Sequence, residues 1–200
     1  MNFLQFLKFP EWDTHLFIFL NGLHLSWLDS LMKLFSSIPF WIPMYIVILA
    51  VIVKKKKIWS IAVILVLGIS IAFADQLSVI LFKNAFERLR PCYAEELQNV
   101  IYSLENCGGR YGFISSHAAN SFCFAALTSR VLKNKNYTIL IFFWALVVSY
   151  SRIYVGKHYP LDIICGGIFG VLCQQLIVWL YSICKFVIFK AKNYEMPKLF

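Results

Sequence analysis

Charge is what this chain has least of. Only 14% of its 200 residues are charged and 60% are hydrophobic, against about a quarter charged in an ordinary soluble domain. A mean hydropathy of +0.69 agrees, so a soluble globular fold is excluded. Acidic residues are the scarcer kind: 10 Asp and Glu face 19 Lys and Arg, a formal net charge of +9. That balance invites a nucleic-acid partner. The basic residues are segregated by loop, however, and form no stripe interleaved with aromatics, so no nucleic acid is expected. No internal repeat or low-complexity linker is visible, and the length suits one compact membrane bundle without a soluble domain. The features of a removable signal peptide are also lacking. The only early lysine is Lys8, and Pro10-Glu11-Trp12-Asp13 breaks the segment before a long apolar run forms.

Apolar runs of bilayer length, roughly 20 residues per crossing, fill most of the rest. They cover residues 40–53 (extended backward through Phe35-Ser36-Ser37-Ile38-Pro39), 58–82, 113–132, 137–154 and 161–189. The third is softened by serines, alanines and an asparagine. Ahead of them, Leu16, Phe19, Leu20, Leu23, Trp27, Leu31 and Leu34 recur at helical spacing, interrupted by Asn21, His24, Asp29 and Lys33. This predicts an amphipathic helix, or a helix pair, in the outer interface, with a sixth full span as the alternative. The expected fold is all-α: an integral membrane bundle of five to six transmembrane helices with an N-terminal interfacial amphipathic helix. Residues 1–36 form the interfacial segment, 37–190 the membrane domain and 191–200 a cytoplasmic tail.

Alternation of five spans places three basic blocks on one side: Lys54 to Lys57; Arg130, Lys133 and Lys135; and Lys185, Lys190, Lys192 and Lys198. By the positive-inside rule that side is cytoplasmic. Lys83, Arg88, Arg90, Arg110, Arg152 and Lys157 fall on the other side, against the rule, which argues that something besides topology retains them. Cys92 and Cys107 flank the one long polar loop, and an extracytoplasmic location makes a disulfide between them reasonable. Cys123, Cys165, Cys173 and Cys184 lie within apolar runs and read as packing residues.

Three polar clusters converge on that outer face. On a continuing helix, Lys83 and Arg90 share a face about 10 Å apart along the axis, with Pro91 ending the helix and Glu87 one turn from either. Two such cations either grip an anion or snorkel toward lipid phosphates. Ser115-Ser116-His117 opens the next span. Hydroxyls there act as caps, while free N–H groups at the same place bind anions, and the histidine stands ready to protonate a departing oxygen. In the third cluster, running from Ser151-Arg152 to Asp162, Pro160 suits the first helical position. Asp162, in the first turn, can reach back to His158 and fix its tautomer, turning the other nitrogen outward as a nucleophile. Its bland alternative is a complement to the helix dipole. Asp75-Gln76, inside the second span, either supports the cations or bonds a neighbouring helix. Lys157 either recruits an anionic headgroup or, like Arg110, is a solvated loop charge.

Lys83-x6-Arg90-Pro91, Ser115-Ser116-His117 and Ser151-Arg152-x5-His158-x3-Asp162 resemble, in order, the three motifs of the type-2 phosphatidic acid phosphatase superfamily, K-x6-R-P, P-S-G-H and S-R-x5-H-x3-D. That superfamily also includes vanadium haloperoxidases and glucose-6-phosphatase. The resemblance runs from about residue 40 to about residue 185. The middle motif departs twice, with Ile114 for the proline and Ser116 for the glycine.

The resemblance implies a phosphatase acting on a phosphorylated membrane lipid, with no metal and no cofactor. The Cys and His residues agree, forming no tetrahedral set at recognisable spacing. His158 would be the nucleophile, Asp162 its orienting partner and His117 the acid and then the base. Lys83, Arg90, Arg152, Ser115 and the Ser116 N–H would hold the phosphate oxygens. An outward site in a bacterial inner membrane, facing the periplasm, favours undecaprenyl diphosphate or lipid A phosphates as substrates. Phosphatidylglycerol phosphate and phosphatidate come next, or transfer of the phosphate to another lipid or sugar.

Overall fold

A computed structural model describes residues 9–190, with side chains through Cys184. The tail 191–200 and its Lys192 and Lys198 lie outside the described residues. Eight helices follow in chain order: α1 (Glu11–Asn21), α2 (Ser26–Ser36), α3 (Ile42–Lys56), α4 (Ser60–Leu77), α5 (Asn84–Phe86), α6 (Ser116–Leu132), α7 (Lys135–Tyr154) and α8 (Pro160–Lys190). A π-helical stretch, Ser78–Lys83, joins α4 to α5. Among the described residues, three stretches are long and apolar enough to cross a membrane: Pro39–Phe86, Lys135–Tyr154 and Pro160–Cys184. The first holds two helices, α3 and α4, because Lys57 at φ +51° breaks it and the halves pack against each other.

The fifth member of the bundle, α6, is its centre. It packs against α8, α7 and α4, and ten of its residues are buried, including Ala118, Ala119, Ser121, Cys123 and Thr128. This explains its soft composition. A helix surrounded by helices needs small residues for close approach rather than a lipid-facing apolar coat. Phe124, Leu127 and Val131 of α6 meet Ile52 of α3, Val63 and Val66 of α4, Trp144 and Val148 of α7 and Val178 of α8 in one apolar core. Outward, Leu65, Ile69, Leu140, Phe143, Ile168 and Leu172 stay exposed, as lipid contact requires.

On α8, Gly166 and Gly170 are the small residues that let α6 come close. A Cβ on Gly166 would stand 2.6 Å from the Ser115 carbonyl oxygen, and one on Gly170 would overlap the Ala119 backbone. At the same crossing Ser115 N–H donates to the Asp162 carbonyl at 3.0 Å. The start of α6 is thereby fixed to the start of α8.

Both turns rich in lysine lie at one end, where Lys55 donates to the Leu132 carbonyl. The other end carries α1, α2 and the 87–115 loop. Here α1 and α2 are a helix pair, 11 residues each and so about 16 Å long, too short to span. Asn21 clamps this end: its amide donates to the Tyr102, Ile153 and Tyr154 carbonyls and accepts from Tyr102 N–H. A disulfide joins Cys92 and Cys107, whose Cα atoms are 6.1 Å apart.

One expectation fails. Lys83 and Arg90 do not share a helix, because the helix stops at Phe86 and Glu87 takes a left-handed conformation. Arg90 is extended, its N–H bonded to the Arg110 carbonyl beside the isolated Leu89–Tyr111 bridge. The helix therefore ends before Pro91, and Glu87 is not a helical neighbour of both cations. Backbone pairing across the 87–115 loop replaces the helix here.

Gly170→Ala should lower the thermal midpoint in detergent, by the equivalent of about 1–3 kcal/mol for overpacking. Gly68→Ala, where a Cβ meets nothing within 4 Å, should leave the midpoint unmoved.

Candidate active site

The ends of α4, α6 and α7 away from the lysine-rich turns, and the loops beside them, surround a cavity of about 360 Å³. Lys83, Arg90, Ser116, His117, Arg152 and His158 all line it. Residues from three distant parts of the chain thus meet in one cup. Ser115 stands apart: fully buried, it caps α6, its Oγ accepting from Ala118 N–H at 3.4 Å, and it does not line the cavity. Ser116 does. Its hydroxyl accepts from Lys83 Nζ at 2.7 Å and lies 2.7 Å from the Ser78 hydroxyl. The π-helical stretch sets Lys83 at this position, an irregularity often found at functional sites.

His158 is 1% exposed. Its Nδ1 lies 3.3 Å from Asp162 Oδ2, and its Nε2 lies 3.2 Å from Arg90 Nη1. A carboxylate only accepts and a guanidinium only donates. The bonding pattern therefore assigns the proton to Nδ1 and leaves the Nε2 lone pair toward the cations. Burial, with Arg90, Arg152, Lys83 and Lys157 nearby, holds the imidazole well below the usual histidine range. It stays neutral at ordinary pH, its Nε2 lone pair accepting from Arg90.

Arg152 is 5% exposed and Arg90 9%, yet the Nε of each is buried without a hydrogen-bond partner. Buried donors normally find acceptors. Cations packed together inside an apolar bundle also repel one another, so an anion in the cup would relieve both costs. Arg152 has a partial counterweight in Glu105, 3.9 Å away, and donates to Ser36 Oγ. Lys157 binds the same Glu105 at 2.6 Å, so that lysine is paired rather than solvated.

Sequence reasoning counted Arg88 among the cations retained against the positive-inside rule but gave it no site role, and gave Asp13 none either. Arg88 donates to Asp162 Oδ1 at 2.8 Å and to Asp13 Oδ2 at 2.6 Å. Its guanidinium carbon lies 3.8 Å from the centre of the Tyr159 ring and 4.0 Å from that of Phe9. Asp13 also accepts from Leu161 N–H at 2.8 Å, and it is fully buried. The signal was present: an aspartate in the N-terminal amphipathic segment and a third outer-face cation between Lys83 and Arg90. Only the tertiary structure pairs them. Asp75, the intramembrane acid, accepts from Asn120 Nδ2 at 3.0 Å and lines the cavity. Among the described residues no cluster of three or more His, Cys, Asp or Glu could hold a metal ion.

Inorganic phosphate at a hundred times its dissociation constant should stabilise the detergent-solubilised protein by about 2.7 kcal/mol, read as a rise in thermal midpoint. Arg152→Ala should remove most of that rise.

Comparison with known proteins identifies the family. The model of the PAP2 superfamily matches residues 59–185. The chain is 36% identical over 171 residues to the lipid A 4'-phosphatase of Bacteroides thetaiotaomicron, covering 84% of this chain and 75% of that protein. It is 30% identical over 173 residues to the undecaprenyl-diphosphatase of Sulfolobus acidocaldarius, covering 85% and 79%. The crystal structure of Aquifex aeolicus LpxE superimposes with a TM-score of 0.64 at 21% identity, over 89% of this chain and 99% of that one, a likeness of fold. On the family match and the identity to these relatives, this multi-pass membrane protein belongs to the PAP2 superfamily, the type-2 phosphatidic acid phosphatases.

Proposed function

We propose that the chain removes phosphate from a membrane lipid through a phosphohistidine on His158, at a site open to the periplasmic face of a bacterial inner membrane. The observation that carries this reading is the His158 geometry. One ring nitrogen is turned to a buried carboxylate, and the other faces a cavity with Lys83, Arg90 and Arg152 in its wall. Lipid A phosphate comes first as substrate and undecaprenyl diphosphate second, as the names and identities of the relatives suggest.

In the first step His158 Nε2 attacks phosphorus, a P–N bond forms and the P–O bond to the lipid breaks. His117, in the first turn of α6, gives a proton to the leaving oxygen. Lys83, Arg90 and Arg152 hold the three equatorial oxygens, where charge gathers in the transition state. Ser116 contributes its backbone N–H, while its hydroxyl steadies Lys83. In the second step His117 takes a proton from water, which attacks phosphorus, breaks the P–N bond and releases inorganic phosphate. Asp162 keeps the Nδ1 proton in place throughout, and Arg88 with Asp13 keeps Asp162 in place. The apolar wall of the cavity, which includes Trp41, Tyr45, Ile71 and Phe124, accepts the part of the lipid nearest its tail.

His158→Ala should reduce phosphate release from a panel of phospholipids at least 10³-fold and abolish acid-labile labelling of the protein, while EDTA leaves the parent enzyme active. Full turnover by that variant, or loss of activity with EDTA, would end the proposed mechanism. Because the His158 pKa lies well below 6.5, loss of the nucleophile by protonation should appear only well below that pH. A kcat that halves near pH 6.5 through His158 would contradict it. Arg88→Ala should lower kcat by about 10²-fold with KM little changed, with Arg88→Lys restoring part of it; a change in KM alone would remove Arg88 from the chain.

A further inference from the structure

The cavity does not end at the phosphate cup. Where the π-helical stretch after α4 meets α6, Ser78 and Ser116 form a rung, 2.7 Å apart, with Ser116 lining the cup. Asp75 and Asn120 form the next rung, 3.0 Å apart. Asn120 follows Ser116 by four residues, so this rung lies about 6 Å farther toward the bilayer interior. Both residues line the same cavity, beside Tyr45, Ile71 and Phe124.

The chemistry of this lower rung is opposite to that of the cup. A carboxylate only accepts hydrogen bonds, so the Asn120 NH₂ must face Asp75 and its Oδ1 must face elsewhere. That Oδ1 is buried and has no hydrogen-bond partner. Asp75 uses Oδ1 for Asn120 and keeps further acceptor capacity. The rung therefore offers acceptors and negative charge directly beneath a cluster of cations. A structural bond between helices would need only the Asp75–Asn120 contact. It would not need a second acceptor left unsatisfied at a cavity wall, which costs free energy.

We propose that Asp75 and Asn120 form a second subsite that reads the group between the reacting phosphate and the lipid tail, accepting hydrogen bonds from hydroxyl or amide N–H donors of a sugar headgroup and repelling a second phosphate. This rests on the phosphatase reading above and narrows it to monoesters on hydroxylated or amidated headgroups. With the reacting phosphorus in the cup, the adjoining part of the lipid must pass this rung to reach the apolar wall. A glycosyl headgroup brings O–H and N–H donors there. A polyprenyl diphosphate brings its inner phosphate, an anion without a fixed donor, toward Asp75. Selection of this kind uses both a matched partner and a repulsive one.

The test compares kcat/KM for lipid A carrying a phosphate on its distal glucosamine with that for undecaprenyl diphosphate, both in detergent micelles. The parent enzyme should prefer lipid A. Asp75→Asn keeps the shape but removes the charge, and it should lower the lipid A value by about tenfold and raise the diphosphate value, moving the ratio by about 10²-fold. Asn120→Ser removes the unpaired acceptor without altering charge. It should lower the lipid A value alone, which keeps the proposal testable if Asp75→Asn does not fold. Orthovanadate inhibition reads the cup and should stay within a few-fold in both variants. An equal fall on both substrates, or a parent enzyme that prefers the diphosphate, would overturn the subsite and leave the phosphatase reading standing. Silence of the parent enzyme toward every phospholipid would instead bring down the phosphatase reading, and the subsite with it.

Discussion

Asp162 is the residue on which the site depends, because four residues from three separate parts of the chain bond to it. His158 Nδ1 and Tyr159 N–H meet Oδ2, Arg88 meets Oδ1, and its backbone carbonyl accepts from Ser115 N–H. The carboxylate is fully buried, and a buried charge persists only when it is paired and hydrogen-bonded. Arg88 meets that need and is itself shared with Asp13 of α1. The N-terminal helix, which by composition is only an interfacial float, is therefore tied to the proposed nucleophile through two carboxylates and one guanidinium. Gly112 completes the fit, since a Cβ there would stand 3.1 Å from Asp162 Oδ2 and 3.2 Å from the Arg90 side chain.

The membrane sets the second constraint. Three cations packed in an apolar bundle cost free energy in proportion to their desolvation, and the chain limits that cost by confining them to one end. Ser116 takes one Lys83 hydrogen bond, and Ser36 and Glu105 steady Arg152. Glu105 comes from the loop that the Cys92–Cys107 disulfide closes, so a covalent tie in the 87–115 loop places a counter-charge beside the cup. What remains unsatisfied, the Nε of Arg90 and of Arg152, is the capacity a phosphate would fill.

Much of this was legible in the residues. Apolar runs of bilayer length gave the helical bundle, and the segregation of lysines gave its two ends. The spacing His158-x3-Asp162 put a carboxylate one helical turn from an imidazole, and Pro160 marked where α8 begins. Periodicity is a local property, and these are local facts. The reading failed where a distant partner intervened. Between Lys83 and Arg90 nothing in the residues themselves stops a helix, but pairing of Arg90 and Leu89 with the 110–111 strand-like segment competes with it and wins. At the start of α6 the residues left cap and anion ligand both open for Ser115 and Ser116; Ser115 caps the helix and Ser116 lines the cavity.

By itself the sequence determined that this is an all-helical membrane protein with three charged motifs at one end, because hydropathy, helical period and loop charge act over a few residues at a time. Tertiary structure alone decided that α6 is the central helix, that Asp13 and Arg88 hold Asp162, and that Asp75 and Asn120 continue the cavity below the cup. The hydrogen bonds among these join residues 45 to 75 positions apart. A buried polar group chooses its partner by position in space, and no local pattern encodes that choice.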